Sequence, residues 1–203
     1  MTANLTPRQA LDQLIEGNKR FVQDPHHPRV SAERRAALTS GQEPFAAVLG
    51  CADSRVPMEL VFDQGLGDLF AIRTAGEVVD TGVLASVEFA IDGLGCPLLV
   101  VLGHESCGAV AATVATIGGT VPGGFQRVLA EKIAPSIMAA QAGGATTTDE
   151  YEAAHVAATV KFLVETSPVV ASAISEGRLA VVGMRYRLSD GLVEPVVSRG
   201  LPE

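Results

Sequence analysis

Cysteine and positive charge are both scarce in this chain, and each shortage excludes a class of protein. The 203 residues include three cysteines, and no two of them form a C-x-x-C pair. An odd, sparse set argues against a disulfide framework, and the missing pair argues against a thioredoxin-like redox role. Lysine and arginine total 15 against 23 aspartates and glutamates, which gives a net charge of −8. Because nucleic acids and anionic membranes attract basic patches, we expect neither as a partner.

Long apolar segments are also missing. No run of apolar residues approaches the roughly 18 that span a bilayer, and residues 1–20 lack the apolar region of a signal peptide. We therefore expect a cytoplasmic protein without a membrane span. The chain is nonetheless 47% hydrophobic and 19% charged, which is typical of a packed globular core. We predict a single domain over residues 1–203, with an N-terminal helical arm at 1–40 and an α/β core at 41–203.

Short apolar runs alternate with helical patterns along the chain. Four runs are predicted to be strands, at residues 46–50, 69–73, 98–103 and 179–186. The turn at Ser189-Asp190-Gly191 predicts that residues 192–197 return as an antiparallel edge strand. This alternation predicts an α/β fold with a mostly parallel central sheet of four strands plus that edge strand, flanked by helices. The first three strands are apolar throughout, as in a sheet that is covered on both faces.

The helices are predicted from capping residues and apolar spacing. Thr6, Pro7 and Gln9 begin a leading helix with a capping box. Further helices are predicted within residues 83–94, 109–117, 125–133 and 151–166, and one more begins at Ser167-Pro168. Pro135 is expected to bend or end the helix that contains residues 125–133. The small, Gly-rich residues 118–124 and 139–148 are interpreted as loops.

Two polar motifs stand where predicted strands end. Cys51-Ala52-Asp53-Ser54-Arg55 follows the first strand, and His104-Glu105-Ser106-Cys107-Gly108 follows the third. Ligand sites of open α/β sheets lie beyond the carboxyl ends of strands, so we expect one shared site. In an extended segment Cys51, Asp53 and Arg55 would point to the same side. Two thiolates and one imidazole suit Zn²⁺, with Asp53 as an alternative fourth ligand for which Arg55 competes.

Other candidate residues have simpler interpretations. Cys96 and His155 are interpreted as packing residues rather than as a ligand and a proton shuttle. Val56 and Phe62 are candidates either for the wall of a small apolar pocket or for plain core packing. His26 and His27 lie in a Pro-rich segment and are expected to face solvent. A purely structural zinc site is disfavoured because C-x-x-C knuckles are absent.

At the two polar motifs the sequence resembles the β-class carbonic anhydrases in residue type, order and approximate separation. Further similar stretches are Gly65-Leu66-Gly67-Asp68-Leu69-Phe70, Arg73-Thr74-Ala75-Gly76 and Gly17-Asn18-Lys19-Arg20-Phe21. The resemblance extends over about residues 5–197 and is clearest at 41–112. The chain departs from many relatives at Gly108-Ala109, where they have two glycines, and at Arg73-Thr74, where they have Arg-Asn. It also lacks the tryptophan that helps to form a noncatalytic bicarbonate site in one allosteric subgroup.

The resemblance implies roles for individual residues. Cys51, His104 and Cys107 would bind a Zn²⁺ cofactor, with Asp53 as a fourth ligand in a closed form. Asp53 and Arg55 would be the catalytic pair. Gln42 would bind substrate across a dimer interface, and Gly108 would bind it through its backbone N–H.

The implied activity is the reversible hydration of carbon dioxide to bicarbonate and a proton, by attack of zinc-bound hydroxide. Two alternatives keep the same fold. One is a zinc hydrolase of carbon disulfide or carbonyl sulfide, and the other is a catalytically closed regulatory module that binds bicarbonate or zinc. The apolar leading helix, Gln42 and the habit of the family together predict a homodimer or homotetramer.

Overall fold

The computed structural model describes residues 5–24 and 30–201, and they form an α/β fold around one five-stranded sheet. The strands are β1 (Ala46–Cys51), β2 (Leu69–Thr74), β3 (Leu98–His104), β4 (Ala180–Tyr186) and β5 (Val193–Arg199). Their order in the sheet is β2-β1-β3-β4-β5. The first four run parallel and β5 pairs antiparallel with β4. The predicted sheet is therefore confirmed, and β1 and β3, which carry the two polar motifs, are neighbours in it.

Eight α-helices connect the strands in the described part of the chain. They are α1 (Pro7–Gln23), α2 (Ala32–Ala37), α3 (Met58–Val61), α4 (Thr81–Glu88), α5 (Gly108–Ile117), α6 (Gln126–Ala142), α7 (Thr148–Thr166) and α8 (Pro168–Ser175). Short 3₁₀ turns lie at Leu38–Ser40 and Ala75–Glu77, and a π-helical segment at Phe89–Gly93 continues α4. The three-residue turn Ala75–Glu77 matters for function, because it follows β2 at the same edge of the sheet as the motifs.

The leading helix begins as its sequence predicts. The Thr6 hydroxyl accepts from the backbone N–H of Gln9, and the Gln9 side-chain oxygen accepts from the backbone N–H of Thr6. Pro7 occupies the first turn. Leu11 and Leu14 are buried in the core of the same chain. The apolar face that could have packed on a partner subunit is thus covered by the chain's own body. The division at residue 40 stays a prediction.

The sheet separates two apolar layers because successive strand residues point to opposite faces. Ala46 and Val48 of β1 pack in the layer that contains α1 and α3. Ala47 and Leu49 pack in the layer that contains α4, α7 and α8. β1, β3 and β4 are buried along their whole length, whereas in β2 only Leu69 and Ile72 are buried. The expectation that β2 is covered on both faces is wrong, because β2 is an edge strand of the sheet.

The structure also corrects two helix boundaries. α6 continues through Pro135 to Ala142, so the proline does not end it, and the loop that was expected at 139–148 is confined to residues 143–147. α7 begins three residues earlier than predicted because Thr147 and Glu150 form a capping box that the sequence analysis missed. Phe125, expected on an apolar stripe, is 93% exposed.

No single helix in the described ranges is long and apolar enough to cross a membrane. By length and composition only, α7 and α8 together would pass such a test, but they are bent by 91° at the break between them.

Candidate metal centre

Three buried side chains meet beyond the carboxyl ends of β1 and β3. Cys51 is the last residue of β1, His104 is the last residue of β3, and Cys107 is the N-cap of α5. Their ligand atoms, two sulfurs and one ring nitrogen, all lie within 4.8 Å of one another. The structure therefore brings together the three residues that the sequence predicts for a metal, and it does so at the predicted edge of the sheet.

The hydrogen bonds of His104 leave one ring nitrogen for a metal. Its Nδ1 lies 2.9 Å from the Glu105 carbonyl oxygen, which only accepts, so Nδ1 carries the proton. Nε2 then has a free lone pair, and this buried atom has no hydrogen-bond partner among the described residues. A buried polar atom without a partner is costly unless a ligand satisfies it. The donor set and the orphaned Nε2 together fit a bound metal ion.

The two sulfurs compete for one proton. The Cys107 thiol lowers the pKa of Cys51 by hydrogen bonding, and contacts with His104 and with the Gly76 amide at 3.2 Å lower it further. The same contact with Cys51, together with burial, raises the pKa of Cys107. The pair thus carries one negative charge readily, and a cation that binds both sulfurs must displace the second proton.

Asp53 is paired with Arg55 beside the three ligands. Arg55 donates from Nε to one carboxylate oxygen at 2.9 Å and from Nη2 to the other at 2.7 Å. This bidentate pair outweighs partial burial and holds the pKa of Asp53 well below its usual range. The nearer carboxylate oxygen is 3.9 Å from the free Nε2 of His104, so Asp53 faces the ligand cluster while Arg55 holds it.

The route to this pairing differs from the expected one. The segment after Cys51 is not extended: the Val56 amide donates to the Asp53 carbonyl at 3.1 Å, which closes a turn. The turn brings the Arg55 amide onto the Asp53 carboxylate at 2.9 Å, in addition to the two guanidinium bonds. The side chains of Asp53 and Arg55 therefore meet because a local turn brings them together. The prediction that they lie close is correct, but its reason, an extended segment with alternating side chains, is wrong.

Arg73, at the edge of the sheet on β2, clamps this turn, and the sequence analysis gave it no role. Its Nε donates to the Cys51 carbonyl at 3.0 Å and its Nη2 to the Asp53 carbonyl at 2.7 Å. Arg73 pairs with Gly50 in the β1–β2 ladder. The available signal was its position near the carboxyl end of a parallel strand next to the one that ends in Cys51.

Glu77 is a second residue that the sequence analysis missed. It is 2% exposed, its φ angle of 40° is rare for a residue with a side chain, and its Oε2 has no hydrogen-bond partner in the described part of the chain. Burial, and then the charge of Cys51, raises the pKa of Glu77 to about 8. A neutral carboxylic acid therefore lies behind the ligand cluster near neutral pH.

His155 supports the same segment from behind. Its Nε2 donates to the Gly76 carbonyl at 2.9 Å, its Nδ1 lies 3.0 Å from the Ser136 hydroxyl, and the residue is 4% exposed. Burial lowers the pKa of His155, which keeps the ring neutral. Its position agrees with the interpretation as a core histidine: it holds the carbonyl of Gly76, the residue whose own N–H reaches Cys51.

The two residues expected to bind substrate lie in different places. Gly108 begins α5 next to Cys107, and the space around it is open, with no atom within 4 Å of a Cβ placed there. Gln42 precedes β1 and lines a cleft with Arg34, Leu38 and Gly67. Since Cys51 ends the six-residue β1, about 17–20 Å of strand separates Gln42 from the cluster within one chain.

The remaining candidates pack in the core or fall outside the description. Val56 and Phe62 are fully buried in the layer under α1, so neither forms the wall of an open pocket. Cys96 is 2% exposed and its sulfur contacts the Pro44 carbonyl at 3.4 Å, as expected for a packing residue. The segment with His26 and His27 lies outside the described residues.

Comparisons with known proteins agree with this geometry. A family model described as carbonic anhydrase matches residues 46–193. The chain is 50% identical to "Carbonic anhydrase 2" of Mycobacterium tuberculosis over 190 residues, which is 93% of this chain and 92% of the relative. It is 49% identical over 193 residues to a carbonic anhydrase of Mycolicibacterium smegmatis, covering 94% of each chain.

Solved structures with the same fold are also β-carbonic anhydrases. The enzyme of Coccomyxa, determined in complex with acetazolamide, superimposes with a TM-score of 0.73 at 25% identity and covers 92% of this chain and 86% of its own. A tetrameric enzyme of Sordaria macrospora has a TM-score of 0.73 at 23% identity, covers 89% of this chain and 91% of its own, and shows the fold alone. With its matched core, its half-identical relatives and its Cys-His-Cys cluster, this chain belongs to the β-class carbonic anhydrase family.

Proposed function

We propose that this protein is a zinc enzyme that hydrates carbon dioxide reversibly to bicarbonate and a proton. The observation that carries the proposal is the buried cluster of Cys51, His104 and Cys107, with its unpaired nitrogen, beside the Asp53–Arg55 pair. Two soft thiolates and an imidazole are a donor set that zinc prefers, and three protein ligands leave a fourth position for water. Bound zinc supplies a Lewis acid that makes hydroxide available near neutral pH.

Asp53 is proposed to orient the water that reacts. Its low pKa keeps the carboxylate ionised across the working range of pH, so it accepts hydrogen bonds there and does not itself supply protons. A carboxylate that accepts from the attacking water points an oxygen lone pair of that water toward the carbon of CO₂. Because both carboxylate oxygens accept from Arg55, the arginine keeps Asp53 in this position and away from a ligand position.

Gln42 and Gly108 are proposed to contact the substrate or the bicarbonate product. Gly108 lies in the first turn of α5, where free backbone N–H groups favour an anion. Gln42 precedes β1 and the cluster lies beyond the other end of that strand, so Gln42 would serve the site of a second copy. This supports a homodimer or a homotetramer built from dimers. The cytoplasmic location stays a prediction from the sequence.

One alternative keeps the metal and changes the substrate to carbon disulfide or carbonyl sulfide. The other keeps the metal and gives up catalysis, with Asp53 bound permanently as the fourth ligand. The bidentate contact between Asp53 and Arg55 favours a catalytic site, because a closed binding module has no need of a carboxylate that is held off the metal.

The test is stopped-flow CO₂ hydration by the zinc-loaded protein, followed with a pH indicator over about pH 6.5–9. We expect activity in the wild type, and we expect Asp53→Asn to lower kcat roughly 10²–10⁴-fold while zinc is retained. Arg55→Ala should lower kcat as well, since Asp53 is then no longer held.

Arg178→Ala is the matched control, because Arg178 forms an exposed ion pair with Glu176 that involves no residue of the metal centre. A stoichiometric zinc protein that hydrolyses carbonyl sulfide but does not hydrate CO₂ would refute the proposal. Full activity in Arg55→Ala would refute the role of the arginine alone.

A further inference from the structure

The backbone amide of Cys107 has a specific buried acceptor. Cys107 is the N-cap of α5, a position where a Ser, Thr, Asp or Asn side chain usually accepts from the first free N–H groups of the helix. The sulfur of Cys107 belongs to the ligand cluster. The residue's own N–H, which an N-cap side chain does not satisfy, donates to Oε1 of Glu152 at 3.0 Å, across 45 residues of sequence.

Glu152 is itself held by Arg185. Its second oxygen, Oε2, accepts from the Arg185 Nε at 2.9 Å and lies 2.9 Å from the Arg185 Nη2. Glu152 on α7 is 2% exposed and Arg185 on β4 is 4% exposed. A buried carboxylate needs a paired cation and hydrogen-bond donors, and Arg185 and the Cys107 N–H supply these to Glu152.

The loop that carries Cys107 needs support from outside. Ser106 has a φ angle of 57°, a left-handed conformation that costs free energy in a residue with a side chain. On the other side of the loop the Glu105 amide donates to the carbonyl of Tyr186, the residue after Arg185. β4 and the start of α7 therefore grip this loop at two points, one on each side of the strained residue.

We propose that Glu152 and Arg185 are positioning residues for the metal centre. They hold the Cys107 amide and so keep its sulfur in place relative to Cys51 and His104. The inference rests on the proposed metal site and adds two residues that do not touch metal or substrate. Outer partners of this kind typically change metal affinity 10–100-fold when they are removed.

The test compares zinc retention in Glu152→Ala, Glu152→Gln and a control variant. Zinc transfer to a chromogenic chelator gives the rate of metal loss, the absorption of the Co²⁺-substituted protein reports the ligand geometry, and thermal unfolding reports stability. Glu194→Gln is the matched control, because Glu194 also contacts Arg185, at 3.1 Å, but not Cys107.

We expect Glu152→Ala to lose zinc about 10–100-fold faster than the wild type and to alter the Co²⁺ spectrum. Glu152→Gln, whose amide oxygen can still accept from Cys107 but whose NH₂ would face the Arg185 donors, should lose zinc more slowly than Glu152→Ala and faster than the wild type. Glu194→Gln should behave as the wild type. A pair with a merely structural role would lower the thermal midpoint and leave metal loss and the Co²⁺ spectrum unchanged.

A folded Glu152→Ala that keeps zinc within about twofold of the wild type would overturn the proposal, since removed outer partners change affinity by more than this. Should this variant fail to fold, Arg185→Lys decides: it keeps the positive charge but loses the guanidinium fork, and wild-type zinc retention in it would overturn the proposal. A wild type that holds zinc but does not hydrate CO₂ refutes the proposed function only. An active wild type with an unchanged Glu152→Ala refutes the positioning role only.

Discussion

The two loops that build the metal centre differ in how they are held. The first loop, residues 51–56, is charged and partly exposed; Asp53 and Arg55 are bonded within the loop, and Arg73 of β2 clamps its backbone. In the second loop, residues 104–108, the two ligands His104 and Cys107 are buried, and the loop is held by Glu152 and Tyr186, which are distant in sequence. The Arg55 guanidinium donates to the Ser106 carbonyl at 3.2 Å and links the two loops, in addition to the contact between the Cys51 and Cys107 sulfurs.

Because the two loops are held differently, we expect them to have different roles in the site. The first loop places the exposed Arg55 and its carboxylate partner Asp53 where substrate and water are proposed to bind. The second loop provides two of the three metal ligands, and residues of α7 and β4 hold its backbone at Cys107 and Glu105. We therefore expect changes in the first loop to affect turnover, and changes in the support of the second loop to affect metal retention and stability.

The largest expected effect comes from the ligands, where the two loops should be equal. Cys51→Ser in the first loop and Cys107→Ser in the second should each weaken zinc binding by more than the 10–100-fold expected for an outer partner, because a thiolate donor is lost outright. Activity should fall with metal content. Metal analysis after dialysis against a chelator, together with the hydration assay, measures both.

Cys96→Ser is the control for these variants. Cys96 is as buried as the other two cysteines, but it contacts the Pro44 carbonyl and lies outside the cluster. It should keep stoichiometric zinc. If Cys51→Ser or Cys107→Ser also kept stoichiometric zinc, that cysteine would not be a ligand and the equality of the two loops would be broken.

The glycines that precede the ligands should sharpen the contrast. A Cβ on Gly103, before His104, would lie 2.4 Å from Cγ2 of Val156, a stiff branched side chain on α7. A Cβ on Gly50, before Cys51, would meet first the sulfur of Met58 at 3.1 Å, in a side chain that adapts easily. We expect Gly103→Ala to cost roughly 1–3 kcal/mol of unfolding free energy, and Gly50→Ala distinctly less.

Urea unfolding of both glycine variants measures this difference under identical conditions. Metal retention should follow the same order, because a shift of β3 at residue 103 moves His104 directly. Equal destabilisation by the two variants would contradict the view that the strand before the second loop is packed more rigidly than the strand before the first.

The smallest expected effect concerns Glu77 and depends on pH. Because the folded protein raises its pKa from 4.5 to about 8, Glu77 contributes stability that is fully present below pH 4.5 and is lost as the pH rises through 8. Glu77→Gln cannot ionise. At pH 9 we expect the metal-free variant to be roughly 1–3 kcal/mol more stable than the metal-free wild type, which then carries an unsatisfied buried charge.

Urea unfolding of both metal-free proteins at about pH 4 and pH 9 tests this, since the difference between them should be small below the unfolded pKa of 4.5 and should grow as the pH rises toward 8. Glu131→Gln removes an equal charge from an exposed position and should show no such change with pH. A wild type and Glu77→Gln that differ equally at both pH values would mean that Glu77 does not titrate in this range.

Much of the fold could be predicted because its signals are local. The capping box of Thr6 and Gln9, the apolar run before Cys51 and the turn at Ser189-Asp190-Gly191 each depend on a few consecutive residues, and the structure has the helix and strands they predict. The ligand set could also be predicted, because strand ends of a parallel sheet meet at one edge and the donor types are chemically specific.

The parts that could not be predicted depend on contacts between distant segments. Arg73 lies in a stretch that resembles the family, but Glu77 and Glu152 carry no motif, and each of the three acquires its role only because β2, the turn after it and α7 pack around the two loops. Phe125 was expected to be buried from its spacing and is exposed, since spacing shows that a face is apolar but not that another element covers it.

What the amino-acid sequence determined by itself is the chemistry: two thiols, an imidazole, and a carboxylate beside a guanidinium, each at the end of a strand. What only the tertiary structure decided is the state of those groups. Arg55 holds Asp53 through both carboxylate oxygens, and Glu152 holds the Cys107 amide. The Glu105 carbonyl accepts from Nδ1 of His104, which leaves Nε2 for a metal. The reason is physical: donor identity is a property of single residues, whereas burial, charge pairing and orientation arise only when segments far apart in the chain pack together.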